Sequence, residues 1–164
     1  MGNEVSGTGQ RGELCLRGSV IIKGYLNREE ATAEAIQDGW FRTGDIAEID
    51  ADGFIYIVDR AKDMVLRGGE NVYCSEVEAA VYEHPDITEA AVFGVPDDRL
   101  GEIVGVAIVR TPESTLDEAG LTAFLADKLA KFKVPERVWF LDEPLPRNAN
   151  GKFVKRELRE TLLG

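Results

Sequence analysis

A chain of 164 residues suffices for one ordinary domain, or for one domain and part of another. A composition of 44% hydrophobic and 30% charged residues is typical of a globular protein and argues against disorder. The net charge of −11 makes a nucleic acid or an acidic membrane surface an unfavourable partner.

The chain contains two cysteines, Cys15 and Cys74, and one histidine, so neither a disulfide framework nor a metal site is indicated. We expect Cys15 to pack within a strand, and Cys74, next to a predicted helix, to be an unreactive thiol. No apolar run is long enough to cross a bilayer and no secretory segment opens the chain, which favours a cytoplasmic protein without a transmembrane segment.

The first fifty residues predict short strands around one helix. Residues 13–17 alternate apolar and polar side chains, and residues 19–22 form a β-rich run between glycines, so each predicts a strand. Asn27, with Glu30 three residues later, forms a capping-box pattern and predicts a helix that ends near Gln37.

Two further β-rich runs, 46–49 and 54–58, flank Asp50-Ala51-Asp52-Gly53. This pattern predicts a hairpin, because glycine supplies the positive φ that such turns need. A few strands and one helix shield little apolar surface, and this segment is therefore interpreted as the end of a larger domain.

The pattern changes to mixed helices and strands after residue 60. Ser75 and Glu78 form a second capping pattern that predicts a helix start, and runs 87–95 and 103–109 predict strands. His84 lies near the end of that helix, where we expect a capping or surface residue rather than a general base.

The remaining residues predict a helix that stops before Pro135, a strand over 138–141, and a final helix with an apolar stripe of Val154, Leu158 and Leu162. About a hundred residues in this part are enough for a small independent core. The predicted fold class is therefore α+β, with mixed helices and short sheets.

Four polar clusters lie on predicted turns or loops, where functional residues concentrate: 38–45, 59–63, 67–71 and 144–152. In the first, Gly44 permits a tight turn that leaves the Asp45 carboxylate free to accept two hydroxyl hydrogens, as from a ribose. In the last, a long loop delivers Lys152, whose compact charge and three donors suit phosphate oxygens. Each cluster alone is typical of a turn or a solvated junction, but their order and spacing together indicate function.

These clusters carry a family resemblance. The runs GYLNREEAT, DGWFRTGD, DGFIYIVDRAKDMVLRGGENVYCSEVE, HPDITEAAVFGVPD and PLPRNANGKFVKREL resemble adenylate-forming enzymes, most of all acyl-CoA synthetases such as fatty-acid and other acid–CoA ligases. The similarity covers nearly the whole chain. The family's Ser/Thr/Gly-rich phosphate-binding loop and its acid-binding pocket have no match in this sequence. The resemblance therefore implies the C-terminal part of such an enzyme.

The resemblance implies a two-step reaction. A carboxylate attacks ATP to give an acyl-adenylate and pyrophosphate, and the CoA thiol then displaces AMP. The implied ligands are ATP, with Mg²⁺ bound mainly through the nucleotide, then CoA and a carboxylic acid, with no metal site on the protein itself.

The resemblance also implies roles for individual residues. Asp45 and Arg60 contact the ribose, and Lys152 bridges the carboxylate and phosphate oxygens as the catalytic lysine of adenylation. Gly68 and Gly69 line the tunnel for the pantetheine arm of CoA in the thioester-forming step.

The implied domain boundary lies near the second polar cluster. Residues 1–59 form the distal β-rich end of the large N-terminal adenylating domain, and residues 60–164 form a small mobile C-terminal domain. The hinge falls near 60–62, with Lys62 in a position that is aspartate in some relatives.

Two other interpretations stay open. The chain is either a fragment of a carrier-protein-loading adenylation domain, or a non-catalytic binding or self-association module derived from a ligase. We expect the chain to be inactive alone, and its unpaired N-terminal strands offer a route to a homodimer. The acid substrate cannot be read from this sequence.

Overall fold

The computed structural model describes residues 8–164, and the chain divides into two compact units, Met1–Lys62 and Asp63–Gly164. Both units combine helices and sheet, so the predicted α+β class is confirmed. Residues 1–7 of the predicted N-terminal segment lie outside the described residues. Within residues 8–164, no helix is both long and apolar enough to span a bilayer.

The first unit is a four-stranded antiparallel sheet with one short helix. Its elements are β1 (Arg11–Leu16), α1 (Glu29–Ala35), β2 (Ile36–Gln37), β3 (Trp40–Ile49) and β4 (Ile55–Arg60). The long strand β3 pairs with all three other strands. The predicted hairpin joins β3 to β4, where Gly53 has a φ of 85° and the backbone N–H of Asp50 donates to the carbonyl of Phe54.

Two predicted features of this unit are wrong. Residues 19–22 form turns and bends instead of a strand. Asn27, with a φ of 54°, lies before α1. The N-cap of α1 is Arg28, which makes no side-chain cap hydrogen bond. Thr32 closes this turn instead, because its hydroxyl donates to the carbonyl of Arg28 and accepts the N–H of Tyr25.

This sheet also buries little. Cys15 is exposed on β1, contrary to the expectation that it packs within the strand. Four consecutive apolar residues around the start of β4 are each more than half exposed: Phe54, Ile55, Tyr56 and Ile57. Within the described part of this unit, the buried hydrophobic residues are Ile46 and Ala47, at 7% and 8% exposure. The alternation of apolar and polar side chains at residues 13–17 therefore predicted a strand correctly. It did not indicate whether either face of this sheet is covered.

The second unit is a five-stranded sheet with helices on both faces. Its elements are β5 (Val65–Arg67), β6 (Glu70–Val72), α2 (Cys74–Tyr82), β7 (Ile87–Asp97), β8 (Gly101–Arg110), α3 (Glu118–Ala126), β9 (Arg137–Leu141) and α4 (Lys155–Leu163). The strand order is β6-β5-β8-β7, and β9 adds to β8 in parallel.

The hairpin of β7 and β8 forms the centre of this unit. Val92 and Val104 pack in a cluster with α2 and α3 on one face, whereas Phe93 and Ile103 pack with α4 on the other. Because both faces are buried, the two strands are continuous apolar runs rather than alternating ones. The same clusters explain the apolar stripe of the last helix, where Leu158 is 4% exposed.

The second capping prediction is also wrong, although the helix exists. The N-cap of α2 is Tyr73, without a side-chain cap hydrogen bond, and Ser75 lies inside the helix. The Glu78 carboxylate accepts the backbone N–H of Val92 at 2.8 Å, which ties α2 to β7. The Glu78 carboxylate therefore binds the backbone of β7 instead of capping the start of α2.

His84 follows its prediction, whereas the reactivity of Cys74 stays a prediction. The Cys74 thiol is buried and donates to the carbonyl of Asp63 at 2.7 Å. His84 follows α2 as expected, its Nδ1 accepts the N–H of Asp86 at 3.1 Å, and its ring meets that of Phe124 edge-on at 4.7 Å. These contacts make His84 a structural residue at the end of the helix.

We predict that Gly105→Ala destabilises the second unit. A Cβ at this position would lie 2.5 Å from Val95 Cγ2 and 2.9 Å from a ring carbon of Trp139. Overpacking a core typically costs about 1–3 kcal/mol, so the free energy of unfolding should fall by that amount. Denaturation followed by Trp139 fluorescence in a Trp40→Phe background measures the change, and an unchanged midpoint would contradict the tight packing.

Candidate functional site

The candidate ribose-binding residues lie side by side on β3 and β4. Asp45 and Arg60 are direct partners in the antiparallel register, and Arg60 Nε lies 2.5 Å from Asp45 Oδ1. The sequence predicted an Asp45 carboxylate free to accept two hydroxyl hydrogens; the structure adds Arg60 as a partner on Oδ1, and the binding of hydroxyl groups stays a prediction. The two residues therefore form an ion pair, and a diol could bind to its carboxylate and guanidinium groups.

A bulge in β3 shapes this pair. Residues 43–45 lie opposite the single residue between Glu13 and Cys15 of β1, and Gly44 has a φ of 72°. Glu13 accepts the N–H of Gly44 at 3.2 Å and pairs with Arg42. Gly44 therefore belongs to a strand bulge and not to the tight turn expected from the sequence.

Lys62 lies in the turn that follows β4 and is exposed. It is the last residue of the first unit, since the division falls between Lys62 and Asp63.

Gly68 and Gly69 form the two-residue turn between β5 and β6, with φ values of 57° and 92°. Such a turn favours glycine at both positions. The N–H of Gly68 donates to the carbonyl of Leu100 at 2.8 Å, so the turn lies against the loop between β7 and β8. A Cβ at Gly69 would meet no atom within 4 Å, which leaves its surface open to a ligand.

Lys152 lies on a second hairpin, between β9 and α4. Arg147 and Phe153 form an antiparallel bridge, and the turn from Asn148 ends at Gly151 with a φ of 78°. The Asn148 side chain accepts the N–H of Lys152 at 3.0 Å, and the carbonyl of Lys152 accepts the Asn148 N–H at 2.9 Å. The Lys152 backbone is thus fixed while its side chain is exposed.

Glu89 of β7 holds this hairpin, which we call the Lys152 hairpin (residues 145–153). Its carboxylate accepts the N–H of Leu145 at 2.7 Å and pairs with Arg147 at 2.9 Å. Burial alone would raise the pKa of Glu89, but the Leu145 N–H and the Arg147 guanidinium outweigh burial and lower it. The carboxylate is therefore charged at neutral pH.

Lys155, the first residue of α4 after the Lys152 hairpin, attaches this helix to α2. Its ammonium lies 2.8 Å from the Glu78 carboxylate, and both side chains are largely buried. Burial lowers the pKa of Lys155, yet nearby Cys74, Glu78 and Asp63 outweigh it and raise the pKa above its usual 10.5. Lys155 is therefore a charged anchor rather than a proton donor at neutral pH.

The structure joins some of the predicted residues and separates others. Asp45 and Arg60 are together. The Gly68–Gly69 turn and the Lys152 hairpin lie at opposite ends of the β7–β8 hairpin, because one contacts Leu100 and the other contacts Glu89. Eight residue steps from Glu89 to Asp97 correspond to about 27 Å of strand.

Sequence reasoning missed Glu89, Arg147 and Asn148 as parts of the site. Arg147 and Asn148 lie within a motif that the sequence singles out, so turn chemistry was a usable signal. Glu89 is 58 positions from Arg147, and no local pattern links the two. Residues 8–164 contain no cluster of His, Cys, Asp and Glu arranged to hold a metal ion.

Comparisons with known proteins show which family this chain is similar to. Residues 76–152 match the family described as the AMP-binding enzyme C-terminal domain. The 2-succinylbenzoate–CoA ligase of Geobacillus kaustophilus is 47% identical over 153 residues, which cover 93% of this chain and 31% of that enzyme.

Solved structures give the same result. ATP-bound MatB from Rhodopseudomonas palustris matches with a TM-score of 0.86 and 41% identity, over 95% of this chain and 31% of that one. The o-succinylbenzoate CoA synthetase of Bacillus subtilis, in complex with its acyl-adenylate intermediate, matches with a TM-score of 0.83 and 36% identity, over 95% and 32%.

In fold and in sequence, the chain is similar to the C-terminal part of adenylate-forming acyl-CoA ligases. It spans about a third of the length of the relatives that it matches.

We predict that Lys155→Met lowers the free energy of unfolding by about 3 kcal/mol, because removing one partner leaves the other charge buried and uncompensated. Since the folded pKa lies above that of the unfolded chain, this stabilisation is complete below pH 10.5 and is lost as the pH rises through the folded pKa. The difference should therefore be constant from about pH 6 to 9.

Urea denaturation of the two proteins at several pH values makes this measurement. Arg156→Met is the matched control, since Arg156 is the next residue of α4, is 81% exposed and has a partner only at 3.8 Å. Equal effects of the two substitutions would contradict a buried Lys155–Glu78 pair.

Proposed function

We propose that the chain provides the mobile C-terminal part of an ATP-dependent acid–CoA ligase. The complete reaction converts a carboxylate and ATP into an acyl-adenylate and pyrophosphate, and then converts the adenylate and CoA into acyl-CoA and AMP. The single observation that carries the proposal is a lysine with a fixed backbone and an exposed side chain on the Lys152 hairpin.

Lys152 acts in the first step. Negative charge develops on phosphate oxygens during adenylation, and a preorganised ammonium group stabilises it most effectively where water is excluded. The hydrogen bonds of Asn148 fix the backbone from which the side chain of Lys152 extends. The lysine has no corresponding task when the CoA thiol attacks.

Two residues, Asp45 and Arg60, bind the ribose of the nucleotide. A third, Lys62, is the hinge for the movement between the two steps. The Asp45 oxygen that Arg60 leaves unoccupied can accept a ribose hydroxyl, and the Arg60 guanidinium has further donors. Lys62, exposed in the turn after β4, takes the hinge position. The nucleotide carries Mg²⁺ mainly through its own phosphates.

The Gly68–Gly69 turn serves the second step. Without side chains, its backbone permits the close approach of a narrow chain such as pantetheine. Because this turn and Lys152 lie at opposite ends of the β7–β8 hairpin, the two steps use different ends of one unit. A rigid-body rotation of the second unit about the hinge would replace one of these ends by the other at the reaction site.

Full activity requires the rest of a ligase. We therefore test the roles in a chimeric ligase, defined here as the 2-succinylbenzoate–CoA ligase of Geobacillus kaustophilus with its C-terminal third replaced by this chain. This body supplies the acid pocket, so the acid used by the native enzyme is a separate question.

We predict that Lys152→Ala in the chimeric ligase lowers the adenylation rate by about 10²–10³, the usual loss for one electrostatic donor. Thioester formation from supplied acyl-adenylate should be nearly unchanged. Pyrophosphate release measures the first step and acyl-CoA formation the second. The control is Lys131→Ala, an exposed lysine elsewhere in the second unit, and an equal loss in both steps would reject the assignment.

We predict the opposite pattern for Gly69→Leu. The side chain enters open space, so the fold bears only the strain of its φ of 92°, about 1–2 kcal/mol. If the turn lines the CoA path, acyl-CoA formation falls about 10- to 100-fold while adenylation persists. Gly53→Leu is the matched control, because Gly53 has a φ of 85° and equally open surroundings.

Experiments on the chain alone and on the chimeric ligase separate the remaining alternatives. Mixed with ATP and a panel of acids, it should release no pyrophosphate, and release would show a self-sufficient enzyme. A chimeric ligase that loads the pantetheine arm of a carrier protein in preference to CoA would favour a carrier-loading enzyme. A folded chimeric ligase without adenylation would favour a non-catalytic module, and size-exclusion measurement tests the expected homodimer.

A further inference from the structure

We propose that Glu89 is a positioning residue for adenylation, because its carboxylate fixes the hairpin from which Lys152 acts. This inference rests on the proposed role of Lys152. It adds a residue on a different element, near the start of β7, whose hydrogen bonds go to Leu145 and Arg147 rather than to Lys152.

The first step in the argument is that both oxygens of Glu89 are committed to the Lys152 hairpin. Oε2 accepts the backbone N–H of Leu145 at 2.7 Å, and Oε1 accepts Arg147 Nη2 at 2.9 Å. The Leu145 side chain is itself 2% exposed in the core cluster beneath α4. The entrance of the hairpin is therefore anchored by one apolar contact and one charged contact.

Arg147 carries the constraint from Glu89 to the neighbour of Lys152. While Nη2 pairs with Glu89, Nη1 donates to the carbonyl of Gly151 at 2.8 Å. Its guanidinium also lies 4.1 Å from the ring centroid of Phe153. The residues immediately before and after Lys152 are thus both held by the side chain that Glu89 orients.

A carboxylate is needed for this geometry. It presents two acceptors to two donors, whereas a carboxamide has one acceptor and would direct its NH₂ group at one of those donors. The side chain of Glu89 is 19% exposed, so water compensates little for a lost contact. The lowered pKa of the carboxyl group agrees with a charged acceptor.

This role differs from a general contribution to stability. The core beneath the hairpin consists of β7, β8 and α4, and these contacts do not pass through Glu89. Losing Glu89 should therefore loosen residues 146–152 while the sheet stays intact. A displacement of about 1 Å in a catalytic group can cost about 100-fold in rate, so local loosening is sufficient to affect adenylation.

The first test uses the chain itself and does not depend on its activity. Amide hydrogen exchange of Gly151 and Lys152 is compared between the wild type and Glu89→Gln. We expect both amides to exchange at least tenfold faster in the variant, with unchanged exchange in β7 and β8. Unchanged exchange of Gly151 and Lys152 would overturn the proposal.

The second test measures the chimeric ligase. Glu89→Gln should lower kcat for adenylation about 10- to 100-fold with little change in KM for ATP, and spare thioester formation from supplied acyl-adenylate. Arg147→Gln, at a position with a 44% exposed side chain, should reproduce the effect even if Glu89→Gln folds poorly. Glu83→Gln, which removes an ion pair with Lys128 at the end of α2, is the control and should change neither step.

The Lys152→Ala variant separates the two ways of failing. If it abolishes adenylation while Glu89→Gln and Arg147→Gln leave the rate unchanged, Glu89 is not a positioning residue and the proposed function stands. If Lys152→Ala itself leaves adenylation unchanged, the proposed function and this inference both fall. A parallel loss in both half-reactions would show a structural role and also overturn the inference.

Discussion

Burial of the β7–β8 hairpin on both faces is the constraint on which the second unit depends. Helices α2 and α3 cover one face and α4 covers the other, so the hairpin cannot bend without opening two core clusters at once. Its two ends consequently keep a fixed separation. One end contacts the Gly68–Gly69 turn and the other contacts the Lys152 hairpin, which makes the unit a rigid spacer between two groups of candidate site residues.

Three glutamates attach the outer elements to this core in the same way. Each accepts one backbone N–H and pairs with one basic side chain: Glu78 with Val92 and Lys155, Glu89 with Leu145 and Arg147, and Glu102 with Leu66 and Arg159. In Glu89 and Glu102 the two partners lie on different carboxylate oxygens, whereas in Glu78 both lie on Oε1, which can serve two donors because each carboxylate oxygen has two lone pairs. The apolar core thus positions the sheet and helices, while charged contacts at its margin hold the neighbouring elements, among them the hairpin that carries Lys152.

The predictable part of the fold is the part that local patterns govern. Continuous apolar runs predicted β7 and β8, and helical spacing predicted α4. The capping patterns at Asn27 and Ser75 failed because Thr32 closes one turn and a tertiary contact takes the Glu78 carboxylate from the other. Polar motifs on predicted turns pointed to the candidate functional loops, but the Asp45–Arg60 pair and the Glu89 anchor depend on strand register and on partners distant in sequence, which no local pattern contains.

The rigidity of the second unit also bears on how two half-reactions can share it. Lys152 and the Gly68–Gly69 turn cannot approach each other by deformation, since the strands between them are packed on both faces. If each acts in its own step, the unit has to turn as a whole, and the flexible point must lie outside the packed core. The exposed turn at Lys62, where the two units divide, meets that requirement without breaking any core contact of the second unit. Under the proposed function, the ordered backbone of the Lys152 hairpin and a hinge at Lys62 would have complementary tasks, because a lysine that arrives by rotation of the whole unit needs a backbone that is already in place.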